Sequence, residues 1–273
     1  KTITAGASSE REKVRAAYNW VAKNIRYVAV TLKDGALVPH PAIEVLRNRY
    51  GDCKDHVVLL QALLTAVGIY SSPALINLGA YNIFSSIGVH YPINHVITYV
   101  PSLDLYLDST DQFSPFGVLP YFDSDKPVVL TRLDRLGRTP KIKAEDHVVR
   151  TKVQMDIRPN GVIDGRAYST MAGHLDTDYR RTRFSKQSQP EDEVVKELLF
   201  RFNETGTGSL DSTVPTEIEK PYWEKTKFTL EPLAYMPGRG GLSIPVGLMP
   251  GLLAWMGSNT PKLHTVRPAQ CTS

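Results

Sequence analysis

The segment from Cys53 to Val67 is apolar on nearly every side, and Gly68 follows it as a C-terminal stop. A helix with this pattern has no polar face to turn toward water, so other elements must cover it on all sides. We therefore predict a buried central helix with Cys53 in its first turn. A chain of 273 residues, 42% of them apolar, is long enough to build such a core in one large domain or two of ordinary size.

Two helices and a strand are predicted before this central helix. The first helix opens on a capping-box pattern, Ser9 followed by Glu12, and its apolar residues recur at helical spacing. β-branched and aromatic residues favour a short strand after it. Pro41 is suited to the first turn of a second, short helix, which Gly51 would end. The predicted bounds are residues 9–24 and 41–46 for the helices and 27–32 for the strand.

An antiparallel hairpin is predicted after the central helix. Two β-branched, apolar stretches, Asn94 to Val100 and Leu103 to Asp108, flank the turn signal Pro101-Ser102. A further strand, Pro73 to Leu78, is predicted before them. The first part of the chain is therefore expected to combine helices with an antiparallel sheet.

The sequence pattern changes at about Lys141, and we predict a second, β-rich domain beyond it. Asn160-Gly161 is a strong hairpin turn signal, and Gly206-Thr207-Gly208 is typical of a loop. The predicted strands are Val148 to Ile157, Val162 to Thr170 and Lys225 to Leu230, and the predicted helices are Leu175 to Ser185 and Glu191 to Phe202. The fold class is thus α+β, with a first domain at residues 1–140 and a β-rich accessory domain at residues 141–273, whose C-terminus we expect to be truncated.

Charge and composition argue against nucleic-acid and membrane partners. The net charge of +4 comes from 32 basic and 28 acidic residues that are interspersed, without a basic run that would follow a phosphate backbone. The longest uncharged stretch, Gly240 to Asn259, is interrupted by Pro245 and Pro250, so we predict no membrane span. The chain begins at Lys1 rather than Met, and we interpret it as a piece of a longer protein. Nothing in the pattern indicates an oligomeric state.

Cys53 is the candidate nucleophile. The two cysteines, Cys53 and Cys271, are too few for a disulfide framework or a thiolate zinc site. A thiol at a helix N-terminus lies in the positive end of the helix dipole beside unpaired N–H groups, and both lower the pKa of a thiol. The same N–H groups can stabilise the oxyanion of a tetrahedral intermediate. The position of Cys53 therefore suits acyl-transfer chemistry.

The predicted hairpin supplies a base and a carboxylate for this thiol. A thiol nucleophile needs a base within hydrogen-bond reach and a third group that orients the base. Folding the chain back through Pro101-Ser102 brings Asp108 nearly opposite His95, to within about one residue of register. We therefore predict that Cys53, His95 and Asp108 form a catalytic triad.

Three sequence blocks resemble, in order and spacing, the motif blocks of the transglutaminase-like superfamily. They are Tyr50-Gly51-Asp52-Cys53-Lys54-Asp55-His56, Asn94-His95-Val96 and Tyr106-Leu107-Asp108-Ser109-Thr110. The resemblance covers roughly Ser9 to Pro120 and leaves every triad position unsubstituted. Within the superfamily, the chain is most similar to bacterial proteins described as transglutaminase-like or as cysteine proteases, in which β-rich domains of unknown function flank this one.

The resemblance implies a papain-like α+β core in which a helix bearing Cys53 packs on an antiparallel sheet bearing His95 and Asp108. It also implies a cysteine-dependent enzyme that acts on peptide or side-chain amides of a protein or peptide substrate, without a cofactor or a metal. Hydrolysis by a protease or amidase is favoured over transamidation, mainly because the similar bacterial proteins are often called proteases; nothing in the sequence marks a calcium loop or a second-amine pocket. Similar bacterial proteins are exported, so the resemblance implies a location in the periplasm or cell envelope.

Other interpretations of the same residues stay open. The chain can instead be an inactive binding or scaffold module whose β-rich half recognises a partner. Cys53 and His56, with His90 and His95, can be interpreted as a soft metal site, although His56 is more simply a hydrogen-bonding residue under the sheet. Asp52 and Asp55 suit the first turn of a helix, where Asp52 can act as the cap.

Several residues near the blocks have less defined roles. Asn94, Tyr99 and Thr110 flank the predicted site, but only some of them can line a cleft because neighbouring strand positions face opposite sides. The segment from Tyr81 to Tyr91 is interpreted either as a loop that gates substrate or as a plain connection. Four histidines have no partner that the sequence identifies: His40, His147, His174 and His264.

Overall fold

The computed structural model describes residues 2–29, 38–79, 93–201 and 204–232. The chain divides into two compact units, Lys1–Ile142 and Lys143–Ser273. The interpretations made above for Tyr81 to Tyr91, Gly240 to Asn259 and the side chains of His90, His264 and Cys271 lie outside the described residues.

The first unit alternates helices with short strands. Its helices are α1 (Glu10–Asn24), α2 (Ala42–Asn48) and α3 (Cys53–Thr65). Its strands are β1 (Arg26–Tyr27), β2 (Tyr50–Gly51), β3 (Ser72–Ile76), β4 (His95–Val100), β5 (Leu105–Leu107), β6 (Pro127–Leu130) and β7 (Arg135–Arg138). The strands β6 and β7 were not predicted, and residues 30–32 of the predicted first strand lie outside the described part.

The helix signals in the sequence correspond to the observed helix ends. The capping box of α1 is present, with the Ser9 side chain accepting from the N–H of Glu12 and the Glu12 carboxylate accepting from the N–H of Ser9. The predicted stop of α2 at Gly51 is wrong, because the helix already ends at Arg49, which adopts the left-handed conformation with φ 61°. The central helix α3 is present as predicted, with Cys53 as its first residue.

A five-stranded antiparallel sheet lies beside α3. The strand order is β5-β4-β3-β6-β7, and β4 is buried along its whole length. Helix α3 packs against β4 and also contacts α1 and α2, so it is covered on several sides, as its apolar pattern requires. One cluster of the core consists of buried sheet residues: Ala74, Ile76, Ile97, Tyr99, Tyr106, Val128 and Leu130.

The predicted hairpin is confirmed, although its register differs slightly from the expectation. A turn of 3-10 helix at Pro101–Leu103 joins β4 to β5 and ends at Asp104, whose φ is 46°. Thr98 is paired with Leu107, so Asp108 lies diagonal to His95 rather than directly opposite it. Diagonal neighbours on adjacent strands are still within reach of longer side chains such as imidazole.

The second unit is a four-stranded antiparallel sheet with two helices. Its elements are β8 (Val149–Ile157), β9 (Ile163–Met171), α4 (His174–Ser185), α5 (Glu191–Phe200), β10 (Gly206–Ser212) and β11 (Trp223–Leu230), and the strand order is β10-β11-β9-β8. The Asn160-Gly161 turn joins β8 to β9, with Gly161 at φ 84°.

The loop predicted at Gly206-Thr207-Gly208 is wrong, since these residues begin β10. The glycines have a packing reason. A Cβ on Gly208 would lie 2.1 Å from the carbonyl oxygen of Lys227 on β11 and 2.8 Å from the Val195 side chain on α5. Glycine within a strand can mark a close backbone approach as well as a turn, and the sequence alone does not separate the two.

The α+β class is confirmed by the combination of helices and antiparallel sheets in both units. Among the described helices, none has the length and apolar character needed to cross a membrane.

Candidate active site

Cys53 is half-buried at the first position of α3. Asp52 caps this helix, and its carboxylate accepts from the N–H groups of Lys54 at 2.9 Å and Asp55 at 3.3 Å. The carboxylate of Asp55 accepts in return from the N–H of Asp52 at 3.1 Å, which completes a capping box. The two aspartates therefore act as the first-turn acids expected from the sequence, and together they fix the start of the helix that carries the thiol.

Gly51 lets the chain approach this helix start closely. A Cβ at Gly51 would lie 2.5 Å from the Cβ of Asp55, a separation that real side chains do not adopt. Gly51 also pairs with Tyr27 in the short parallel ladder of β1 and β2. The glycine that precedes the Asp52-Cys53 pair in the sequence thus has a steric role, and its pairing places Tyr27 beside the thiol.

The backbone N–H of Cys53 is a candidate oxyanion donor. The cap occupies the N–H groups of Lys54 and Asp55, and the N–H of His56 donates to the carbonyl of Asp52 at 3.0 Å. Within the part of the chain that the structure describes, neither the capping carboxylates nor a backbone carbonyl accepts from the N–H of Cys53. It points from the positive end of the α3 dipole, where a developing negative charge is stabilised.

His95 and Asp108 form a buried pair next to the thiol. Nε2 of His95 lies 2.9 Å from Oδ2 of Asp108, and each side chain is only 5% exposed. The thiol of Cys53 lies close enough to His95 to contribute to the pKa of its ring. Because Nε2 faces Asp108, Nδ1 is the ring nitrogen that remains for the sulfur. The structure therefore brings together the three residues of the predicted triad in the order thiol, imidazole, carboxylate.

Electrostatics favours the charged forms of both His95 and Asp108. Burial by itself would lower the pKa of His95, but the Asp108 carboxylate, with a smaller contribution from the neighbouring Cys53, raises it to about 11. Burial by itself would raise the pKa of Asp108, but His95 and the hydrogen bonds from Thr110 hold it well below its usual range. The base of the predicted triad is therefore an imidazolium held by a carboxylate.

Neighbouring groups hold the Asp108 carboxylate and its backbone in place. Thr110 donates to Oδ1 of Asp108 through both its N–H at 2.9 Å and its hydroxyl at 2.6 Å. The hydroxyl of Tyr18, on α1, donates to the carbonyl oxygens of Asp108 at 3.2 Å and of Ser114 at 2.9 Å. Each carboxylate oxygen of Asp108 thus has a partner, one from its own loop and one from His95.

Asp123 is a second buried carboxyl at this site, and the sequence analysis did not identify it. It is 1% exposed at the end of a 3-10 turn, Tyr121–Asp123, and one of its oxygens lies within 4.8 Å of a ring nitrogen of His95 and an oxygen of Asp108. Burial, and next the negative charge of Asp108, raise the pKa of Asp123 well above its usual range. Asp123 belongs to no motif, so no local sequence signal points to it.

His95, Asp108 and Asp123 are also the only described residues grouped closely enough to be considered as ligands of a metal ion. The hydrogen bond between His95 and Asp108 already uses the ring nitrogen that faces the acids. The soft metal set considered from the sequence is not brought together, since Cys53 and His56 are not in this group and His90 lies outside the described residues.

Comparison with known proteins identifies the family of the first unit. Residues 1–90 match the family model described as the transglutaminase-like superfamily. These residues are similar to that superfamily, and we call the first unit, which contains them, the transglutaminase-like unit. Members of this superfamily are generally cysteine-dependent enzymes. The match includes Cys53 and ends before His95 and Asp108, so the assignment of those two residues rests on the geometry above. No curated protein and no solved structure matches the chain.

His56 lies on α3 of the transglutaminase-like unit, three residues after Cys53. Its Nδ1 lies 2.9 Å from the carbonyl oxygen of Ser109, and its ring meets that of Tyr27 edge-on at a centroid distance of 6.0 Å. Burial lowers the pKa of His56, so the ring is neutral and donates through Nδ1 to Ser109. His56 therefore joins α3 to the loop after Asp108, the hydrogen-bonding role that the sequence suggested.

Three of the histidines left without partners by the sequence have them in the structure. His40 contacts Asp55 through its backbone N–H at 2.7 Å and its Nδ1 at 3.1 Å, which ties the segment before α2 to the start of α3. In the second unit, His147 accepts from the N–H of His174 at 2.9 Å, and the two rings stack with centroids 4.2 Å apart. Partners that lie far apart in sequence carry no local signal.

The residues expected to flank the cleft have supporting contacts instead. Thr110 donates to Asp108, as described above. The hydroxyl of Tyr99 donates to Asp104 at 2.8 Å in the hairpin turn. The side-chain oxygen of Asn94 accepts from the N–H of Leu78 at 2.9 Å. The sequence placed all three near the site, and their contacts show that they shape the strands and loops of the transglutaminase-like unit.

Proposed function

We propose that this protein is a cysteine-dependent acyl-transfer enzyme that acts on peptide or side-chain amide bonds. Cys53 is the nucleophile, His95 the general acid and base, and Asp108 the residue that orients His95. The observation that carries the proposal is the buried His95–Asp108 pair next to the half-buried Cys53 at the N-terminus of α3. A half-buried thiol at the end of a buried ion pair has no packing role that would require this arrangement.

In the acylation step, the thiolate of Cys53 attacks the amide carbonyl carbon and forms a tetrahedral intermediate. The negative charge moves to the carbonyl oxygen, where the N–H of Cys53 and the dipole of α3 stabilise it. His95 then gives its Nδ1 proton to the leaving nitrogen as the C–N bond breaks. The products of this step are a free amine and a thioester on Cys53.

In the second step, an acceptor attacks the thioester while His95 takes up its proton. We propose that the acceptor is water, so that the reaction is hydrolysis by a protease or amidase rather than transamidation. The resemblance to bacterial proteins that are often called proteases supports this choice. The tetrahedral intermediate then collapses, the C–S bond breaks, and the acid product leaves a thiolate on Cys53. The imidazole keeps the proton that it took from water, so the His95–Asp108 ion pair is restored.

The resemblance to exported bacterial proteins supports a location in the periplasm or cell envelope, where the substrate would be a protein or peptide. A single free thiol is compatible with an oxidising compartment when it is the reactive group of an enzyme. We propose this location together with the hydrolytic activity, and detection of the protein in fractionated cells would test it independently of the chemistry.

The activity is tested with a library of peptide amides in a Cys271→Ser background, where Cys53 is the remaining thiol. We expect release of amine and a mass increase on Cys53 equal to the acyl group, both absent from Cys53→Ala. The Cys53→Ser variant is the matched control because it keeps the size of the side chain and replaces the thiol. Full turnover by Cys53→Ala would refute the proposal, and the absence of any acyl-enzyme would favour a binding or scaffold module.

A further inference from the structure

Asp123 is a buried acid that the proposed mechanism does not use. Its backbone is fixed without its side chain, because its N–H donates to the carbonyl of Pro120 at 3.1 Å and its carbonyl accepts from the hydroxyl of Thr139 at 2.6 Å. The carboxyl is therefore not needed to hold the turn. It is grouped with His95 and Asp108. One carboxylate oxygen of Asp123, one ring nitrogen of His95 and one carboxylate oxygen of Asp108 all lie within 4.8 Å of one another.

The charges of this group constrain its protonation. Two buried carboxylates face one imidazolium, and Asp111 adds a further negative charge nearby. Two like charges in a buried site cannot both be retained when only one opposite charge is available, so one carboxyl keeps its proton. At neutral pH the group then holds one imidazolium, one carboxylate and one carboxylic acid.

The hydrogen bonds indicate which carboxyl is neutral. Asp108 receives donors on both oxygens, from His95 and from Thr110, as an anion requires. Among the described residues, no donor reaches Oδ2 of Asp123. A proton on Asp123 changes this, because a carboxylic acid can donate to the Asp108 carboxylate, one oxygen of which lies within 4.8 Å of an oxygen of Asp123. The neutral acid is therefore Asp123.

We propose that Asp123 is a positioning residue of the Cys53 site: a neutral carboxylic acid that donates a hydrogen bond to Asp108 and holds that carboxylate against His95. The positioning role rests on the proposed function, because it requires that His95 and Asp108 serve the reaction at Cys53; the protonation state of Asp123 does not. An acid that stays neutral in an apolar setting can donate where an ionised one cannot. Asp108 thereby gains a donor without the addition of a positive charge that would compete with His95.

The protonation state of Asp123 is measurable without a substrate. The carboxyl carbon shift of Asp123 is followed by NMR at neutral pH in the Cys53→Ala protein labelled with 13C-aspartate, and the signal is assigned by its loss in Asp123→Asn. We expect the shift of a protonated acid for Asp123 and of a carboxylate for Asp108. A carboxylate shift for Asp123 would overturn the inference and leave the proposed function standing.

The positioning role is measured by the rate of Cys53 alkylation by iodoacetamide at about pH 7 in the Cys271→Ser background. Asp123→Ala removes the donor, and we expect a fall of about tenfold or more, the size of a lost hydrogen bond to a charged group. Asp123→Asn keeps an N–H donor at the same place without a titratable proton, and we expect it to react about tenfold faster than Asp123→Ala. The control is Asp125→Asn, a half-buried acid of the same loop that pairs with Arg138, which should leave the rate unchanged.

The outcomes separate the two proposals. Equal rates for the parent, Asp123→Asn and Asp123→Ala would overturn the positioning role, and so would equal losses in both variants. If Cys53 in the parent reacts no faster than free cysteine, the proposed function fails whatever the state of Asp123. The NMR result stands in either case, because it is obtained on a protein that lacks the thiol.

Discussion

The first unit buries His95 against Asp108, and the second unit buries Arg180 against Asp176. Both pairs join a cation to a carboxylate, and all four side chains are less than a tenth exposed. Burial of opposite charges therefore does not by itself distinguish a reactive site from a structural one.

The arginine cluster, formed by Arg180, Asp176 and Tyr222, is closed. Besides its contacts with Asp176, the guanidinium donates to the carbonyl oxygens of Pro215 and Glu217, both at 3.1 Å, and of Lys220. It also lies over the ring of Tyr222, 4.9 Å from its centroid. Its partners are fixed parts of the same unit, so the contacts join α4 to the segment before β11.

The thiol site, formed by Cys53, His95 and Asp108, is open at one end. The series of contacts ends at a half-buried sulfur and at a backbone N–H without an acceptor among the described residues. It also contains Asp123, whose Oδ2 lacks a donor. The arginine cluster thus satisfies its polar atoms within its own unit, whereas the thiol site leaves Oδ2 of Asp123 and the N–H of Cys53 without partners among the described residues.

The largest expected effect is on the closed cluster. Arg180→Ala leaves Asp176 buried without its partner and should lower the free energy of unfolding of the second unit by about 3–5 kcal/mol. Hydrogen exchange at β9 and β11, followed by mass spectrometry, reports this unit separately. Arg181→Ala is the control, since its exposed pair with Asp178 contributes at most about 1 kcal/mol. A loss as small as that of the control would show that the closed cluster does not stabilise the unit.

The stability of the first unit should depend on pH through His95. The pKa of His95 is raised from 6.5 to about 11, so the stability that it contributes is fully present below the unfolded pKa and is lost as pH rises through the folded one. The experiment uses Cys53→Ala, which lacks the thiol. Because His95 releases about one proton on unfolding, the free energy of unfolding should fall by about 3 kcal/mol between about pH 7 and about pH 9.

The control for this experiment is the double variant Cys53→Ala/His95→Gln, which should lack this part of the slope. An arginine keeps its charge over the same range, so the arginine cluster offers no equivalent signal. Identical slopes in the single and double variants would mean that His95 does not keep its proton in the folded protein.

The smallest expected effect is the difference in stability between losing a charge-assisted hydrogen bond in the first unit and losing a neutral one in the second. Thr110→Val removes the hydroxyl donor to Asp108 at nearly constant shape and should cost about 1.5–3 kcal/mol, together with a slower alkylation of Cys53. In the second unit, the buried Thr213 donates to the carbonyl of Pro221 at 3.0 Å, and Thr213→Val should cost about 1 kcal/mol without changing the alkylation rate.

The control for Thr110 is Thr110→Ser, which keeps the hydroxyl and should retain most of the alkylation rate. If Thr110→Val and Thr213→Val had the same effects on stability and on alkylation, the contrast between the charged and neutral contacts would be unsupported.

The sequence predicted those features of the fold that depend on local patterns. The capping box of α1, the apolar helix α3 and the hairpin of β4 and β5 each have a short signal in the chain, and each is present. The strands β6 and β7 and the glycine-containing start of β10 were missed. Glycines that permit close packing and glycines that permit turns have the same sequence signal, and tertiary contacts decide between them.

The site could be predicted in part for the same reason. Cys53, His95 and Asp108 stand in motif blocks with fixed spacing. Asp123 carries no such signal, because its role depends on the turn that brings it next to Asp108. The partner of His40 was missed for a similar reason, since Asp55 was already explained as a helix-cap residue.

The central claim is that the His95 imidazolium activates Cys53, and the pH profile of Cys53 alkylation by iodoacetamide tests it most directly. The profile is measured in the Cys271→Ser background for the parent and for His95→Ala. An ordinary thiol is only a few per cent ionised at neutral pH, so an activated Cys53 should react about tenfold faster or more at about pH 7, and His95→Ala should remove this advantage. A parent profile that matches free cysteine, or one that His95→Ala leaves unchanged, would contradict the account.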